Sequence, residues 1–174
     1  MHAKKMALWA GAAGLALTGL MSGVSQADPQ PDPVTTGVPF TADNVGLADR
    51  GYEQSLDANA SGDQVITYTT HGGTIQQWHA IERTGDTFLL QNVYKPSQCI
   101  KAPTQLNQPL TMANCNKAST YQRWIERTVN GNDVFQLASN HDRAMQATGV
   151  NSVVILALFD SGNTLQQWSV ESIN

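Results

Sequence analysis

Three near-identical five-residue stretches decide how this chain is read: TIQQW at 74–78, TYQRW at 120–124 and TLQQW at 164–168. Their tryptophans, Trp78, Trp124 and Trp168, are 46 and 44 residues apart, and recurrence at that interval is the mark of a repeat architecture. The similarity continues outside the motif. SLDA at 55–58 answers to CIKA at 99–102 and AMQA at 144–147, and IERT occurs at 81–84 and again at 125–128, each copy leading into a strand with Phe88 or Phe135. From about residue 40 no segment carries an apolar stripe at helical spacing. Short runs such as QVITYTT, TFLLQNV, DVFQLAS and NSVVILALF are rich in β-branched and aromatic residues and are separated by Gly, Asn, Asp, Pro or Ser turns. The expectation is an all-β chain of three units, about 40–80, 81–126 and 127–174, sharing one core because no unit of that size buries its own apolar face. A propeller of WD40 blades is excluded by too few repeats and by the lack of recurring Gly-His and Trp-Asp signatures.

The first 27 residues read as an address. Lys4 and Lys5 precede an apolar Ala/Gly/Leu run from Met6 to Met21, and Ser25-Gln26-Ala27 is a small-x-small cleavage site. The run is shorter than the roughly 20 apolar residues of a membrane span, so secretion after cleavage near Ala27 is expected, with no membrane span. Residues 28–39, with Pro29, Pro31, Pro33 and Pro39, read as a flexible leader before a single domain at 40–174. Net charge is −4, or −6 without Lys4 and Lys5, and no Lys/Arg cluster occurs, which disfavours nucleic acid and anionic membrane surfaces as partners. Cys99 and Cys115 are the only cysteines, and an even pair in an exported chain favours a disulfide over a metal site or a nucleophile.

The tripled Q-x-W motif, with the C-L-D place held by SLDA at 55–58 and with VITYTTHGGTIQQW at 65–78 running against the family's second half without a gap, resembles the ricin B-type lectins. That resemblance implies a β-trefoil of three homologous repeats in pseudo-threefold arrangement, and a within-repeat disulfide between Cys99 and Cys115. It also implies that Trp78, Trp124 and Trp168 are core residues and that Gln76, Gln122 and Gln166 brace the turns around the sites. A sugar site of this kind needs an ionised carboxylate for neighbouring hydroxyls and an aromatic face for the C–H side. In the first repeat Asp57 holds the carboxylate place and Tyr68 the aromatic place; Gln76 is expected to orient Asp57, with His71 and Gly72 lining the loop beneath. The second repeat has Lys101 and Ala113 at those places and reads as dead. The third has Gln146 and Leu158, with Phe159 on the other strand face, so Gln146 and Gln166 form a weaker second candidate. Ile75 stands before the first QxW where the family commonly has a sugar-bonding Asn, and this weakens the case for galactose-type specificity.

Catalytic and metal signatures are missing: HExxH, CxxC, GxSxG and a Gly-rich phosphate loop are all absent. His71, His79 and His141 are dispersed, and the adjacent pair His141-Asp142 lies in the polar stretch SNHDR, read as a solvated loop. The expected function is a secreted carbohydrate-binding module without enzyme activity, cofactor or metal, binding a galactose-type, plant or cell-surface glycan mainly through the first repeat. The alternative is a protein-binding trefoil with degenerate sugar sites, such as a ricin-like cell-binding toxin subunit or an inhibitor.

Overall fold

The computed structural model describes residues 37–173. Residues 1–27, expected to be a signal segment, and most of the Pro-rich stretch expected to be a leader lie outside the described residues, and Pro39 opens the first strand. Twelve strands follow: β1 (Pro39–Asn44), β2 (Gln54–Asp57), β3 (Ile66–Thr69), β4 (Trp78–Thr84), β5 (Thr87–Asn92), β6 (Gln98–Lys101), β7 (Thr111–Asn114), β8 (Trp124–Val129), β9 (Asn132–Leu137), β10 (Asn140–Ala147), β11 (Val154–Leu158) and β12 (Trp168–Ser172). A single-turn helix, α1 (Val45–Ala48), follows β1, and 3-10 turns at Thr74–Gln76 and Thr164–Gln166 precede two of the tryptophans. The SNHDR stretch is mostly strand and not a loop: Ser139 ends the two-residue connection and Asn140 opens β10, with His141 and Asp142 exposed.

Strand pairing closes a barrel. β1 pairs with β4, β4 with β5, β5 with β8, β8 with β9, β9 with β12, and β12 back with β1, all antiparallel. The remaining strands form three hairpins, β2–β3, β6–β7 and β10–β11, and single bridges Gln64↔Thr111, Ile66↔Val153 and Pro109↔Ile155 join each hairpin to the other two. A six-stranded barrel capped by a hairpin triplet is the β-trefoil expected from the sequence, and closure leaves the barrel strands no free edge.

The repeats are not interchangeable in detail. Phe40 pairs with Trp78 and Phe88 with Trp124, but the residue opposite Trp168 is Asp133. Phe135 therefore is not the counterpart of Phe88; two positions further along, it stands at the register of Ala42 and Leu90, its ring stacked 6.3 Å from Phe40. The two IERT copies are likewise out of register, starting three residues after Trp78 and one after Trp124. The β4–β5 pairing also has a one-residue irregularity between Ile81 and Thr84, with Glu82 at φ 51°, that the continuous β8–β9 pairing lacks. The Cys99–Cys115 disulfide ties β6 to the residue after β7. Closing a loop of this length contributes about 3 kcal/mol in the chain-entropy picture.

Each Trp opens the last strand of its repeat and is fully buried. The Trp78 indole N–H donates to Leu56 O at 3.0 Å and that of Trp124 to Ile100 O at 3.2 Å, while the Trp168 N–H has no partner among the described residues. Neighbouring repeats are latched by asparagines. The Asn44 amide donates to Leu165 O and Gln167 O, and the Asn92 amide to Ile75 O and Gln77 O, so the end of each first strand holds the preceding QxW turn. In the third repeat Leu137 stands at this position, and the turn 120–123 loses its amide latch. Arg123 holds that region instead, donating to Lys117 O and Glu82 O.

Two consequences are measurable. A Cβ on Gly46 would meet Thr164 Oγ1 at 2.7 Å and the Leu165 nitrogen at 2.8 Å, so Gly46→Ala is expected to destabilise the fold by about 1–3 kcal/mol, read from thermal or urea unfolding. Burial, with Glu126 nearby, raises the Asp133 carboxyl to about 7. The native state then binds the proton more tightly than the unfolded chain, so stability falls as pH rises from the ordinary value of 3.8 through 7. Asp133→Asn is expected to stabilise at pH 8 by on the order of 2–4 kcal/mol, with the advantage over the parent shrinking as pH is lowered toward 4 in urea titrations.

Candidate functional site

The QxW glutamine builds the loop that each hairpin turns toward solvent. Gln76 is fully buried; its carbonyl accepts the His71 N–H at 2.9 Å and the Gly72 N–H at 3.2 Å, and its amide donates to Thr69 O at 3.1 Å. Gln122 accepts from the Asn116 N–H and donates to Asn114 O, and Gln166 accepts from the Asp160 N–H and donates to Leu158 O. Three glutamines thus make the same brace. The middle residue of QxW adds to it in two repeats, with the Gln77 and Gln167 amides donating to Gly72 O and Ser161 O.

In the first repeat this brace borders a cavity of about 280 Å³ lined by Asp57, Asn59, Ser61, Tyr68, His71 and Ile75, among others. Asp57 ends β2, and its carboxylate accepts the Asn59 N–H at 2.7 Å, with His71 Nε2 at 4.0 Å from its other oxygen. The Asp57 side chain is 5% exposed and that of His71 45%. Burial raises the Asp57 carboxyl above its ordinary range, opposed by hydrogen bonds from the Asn59 N–H and the Gln76 side chain and by His71 and Lys95. Tyr68, 44% exposed, stands on β3 with its ring edge-on to His71, centroids 6.2 Å apart. A fixed carboxylate beside an accessible aromatic ring can take hydroxyl donors and a C–H face together.

Of the residues singled out in the sequence, Asp57, Tyr68 and His71 line this cavity. Gly72 contributes backbone: with φ 66° it makes the turn that aims its N–H at Gln76. Four further lining residues, Asn59, Ala60, Ser61 and Ile66, were not identified as site residues. Neither was Lys95, whose ammonium donates to Ala58 O, Asn59 O and Gly62 O and pins the loop beyond Asp57. A lysine from the second repeat leaves no local signal in the first.

The other repeats differ in chemistry. Lys101 and Ala113 line a smaller hollow of about 110 Å³ with Asn114, Asn116, Ser119 and Gln122. In the third repeat the Gln146 carbonyl already accepts from Asn163 Nδ2 and Gln166 Nε2, both at 3.0 Å, so the amide is turned into a brace; Leu158 is 62% exposed. Among the described residues there is no cluster of three or more His, Cys, Asp or Glu that could hold a metal, and no helix long and apolar enough to cross a membrane.

Solved structures share this architecture. ThreeFoil, a designed 3-fold symmetric protein, superposes with a TM-score of 0.65 at 17% identity, covering 77% of this chain and 99% of its own. The ricin B-like lectin of Macrolepiota procera, solved in complex with lactose, gives 0.64 at 18% identity, covering 79% and 97%. The GlcNAcα1-4Gal-releasing endo-β-galactosidase from Clostridium perfringens gives 0.67 at 15% identity over 79% of this chain, which spans only 33% of that one. A comparison with curated protein sequences gave no match. The ricin-type β-trefoil lectin domain matches residues 45–168, and with the braced QxW turns and closed barrel this places the chain in the ricin-type β-trefoil lectin family.

Proposed function

We propose that this is a secreted, non-catalytic lectin that holds one saccharide unit at the first repeat. The observation that carries the reading is the pairing of an oriented carboxylate, Asp57, with an exposed aromatic ring, Tyr68, in one cavity. Neither other repeat has both groups. Family membership and the lactose complex of the Macrolepiota procera relative support a sugar as the ligand. The apolar run after Lys4 and Lys5 supports export.

Binding is reversible and needs no covalent step. Asp57 accepts from sugar hydroxyls, and the Tyr68 ring covers the C–H side. Asn59 and Ser61 stand at the rim to exchange further hydrogen bonds, and His71, when protonated, strengthens the field that keeps Asp57 ionised. Ile75 presents an apolar wall where the family commonly offers an Asn amide, so one polar contact is replaced by contact with carbon. A single shallow site of this kind binds on the order of millimolar, and useful strength comes from clustered glycans or several copies.

Retention on immobilised galactose and xylan tests this. Asp57→Ala is expected to abolish it and Lys101→Ala to leave it; equal loss in both variants would exclude a single site in the first repeat, and no retention of a folded parent would point to a protein partner. Since the ionised carboxylate is the binding form and burial raises its pKa, retention is also expected to decline on acidification while the pH is still above 3.8. A pH series on the same matrix reads that directly.

A further inference from the structure

The largest departure from threefold symmetry opens a second cavity. The segment after each barrel-opening strand packs on the QxW turn of the preceding repeat. After β1 this is α1 with the residues up to Glu53, whose Gly46 lies against Thr164 and Leu165; after β5 it is Val93–Ser97, where the Tyr94 N–H donates to Thr74 O. After β9 only Ala138 and Ser139 intervene before β10. The turn at 120–123 is left partly uncovered, and a cavity of about 340 Å³ stands where the other repeats place protein.

Its lining is basic and rich in hydroxyls. Lys117 and Arg123 border it with Thr87, Ser119, Thr120 and Ser139, and none of its lining residues is acidic in a chain whose net charge is −4. Arg123 is fixed before any ligand arrives: its guanidinium donates one N–H to Glu82 O and two to Lys117 O, leaving two of its five donors uncommitted. A planar cation held in place loses little freedom on binding and matches the two oxygens of a carboxylate or sulfate. Ser119 also lines the neighbouring hollow with Lys101, so the basic surface runs on into the place where the second repeat lacks its carboxylate. Cation and hydroxyls together suit a ligand carrying both a negative charge and many hydroxyl groups, and the space exceeds the roughly 280 Å³ of the Asp57 cavity.

We propose that this cavity is a second, chemically distinct binding site, taking an acidic saccharide unit, a uronate or a sulfated sugar, through Lys117 and Arg123. It uses none of the groups at Asp57, so the two sites bind independently.

Amide-resolved NMR titration of the protein tests the assignment, with galactose 6-sulfate, galacturonate, neutral galactose and sodium sulfate as probes at matched ionic strength. Saturable shifts at Ser119, Thr120 and Ser139 are expected with at least one acidic sugar, on the order of millimolar, and the two acidic probes tell sulfate ester from carboxylate. Lys117→Gln, a change at an exposed side chain, is expected to weaken this binding at least about fivefold, while Asp57→Ala leaves it unchanged. Three outcomes would overturn the proposal: no saturable shift with either acidic sugar, sodium sulfate or neutral galactose binding as tightly as the acidic sugars, or indifference to Lys117→Gln.

Discussion

A buried primary amide, repeated three times, is the interaction on which this molecule depends. A buried amide without partners is costly, and here each QxW glutamine has them because the chain folds back over it. Gln76, Gln122 and Gln166 each accept a backbone N–H from the loop after a hairpin and return a bond to a hairpin carbonyl. The adjacent tryptophan is thereby set at the head of a barrel strand with its indole inside. Satisfying the amide and burying the indole are one event, and the fold performs it three times around a closed ring.

Shared architecture leaves each repeat free in what it displays. The positions around the brace are not needed by the barrel, so the carboxylate place holds Asp57, Lys101 or Gln146 with little effect on the strands beneath. The third repeat shows where that freedom ends. Gln146, unable to offer a charge, is absorbed into hydrogen bonds with Asn163 and Gln166, while the loss of the Asn latch at Leu137 is offset by Arg123. The second repeat, without a carboxylate, carries the basic surface instead.

The sequence makes the trefoil legible because its strongest signal, a large aromatic preceded by an amide at a fixed interval, coincides with its strongest structural requirement. Tyr68 and His71 were readable because they lie within the unbroken stretch 65–78 that ends in the QxW motif, and Asp57 because the SLDA position recurs at a near-constant interval. What was not readable involves partners from other repeats. Asn44 and Asn92 sit at the ends of strands and act on a different repeat, and Lys95 acts on carbonyls more than thirty residues away. The likeness of Phe88 to Phe135, and of the two IERT segments, was misleading for a further reason: each copy stands at a different distance from its QxW tryptophan, so letters that match in order face different partners in space. Asp133 opposite Trp168 emerges only once strand pairing is known.

The reach of Lys95 from the second repeat into the first has an implication for ancestry. The loop bordering the Asp57 cavity is held at Ala58, Asn59 and Gly62 by that one ammonium, so a solitary first repeat would carry the motif without the shaped pocket. The proposed binding site therefore belongs to the seam between two repeats. Under that proposal, selection on ligand binding acts on a residue of the neighbouring repeat, which gives that repeat a reason to persist even after its own site has changed.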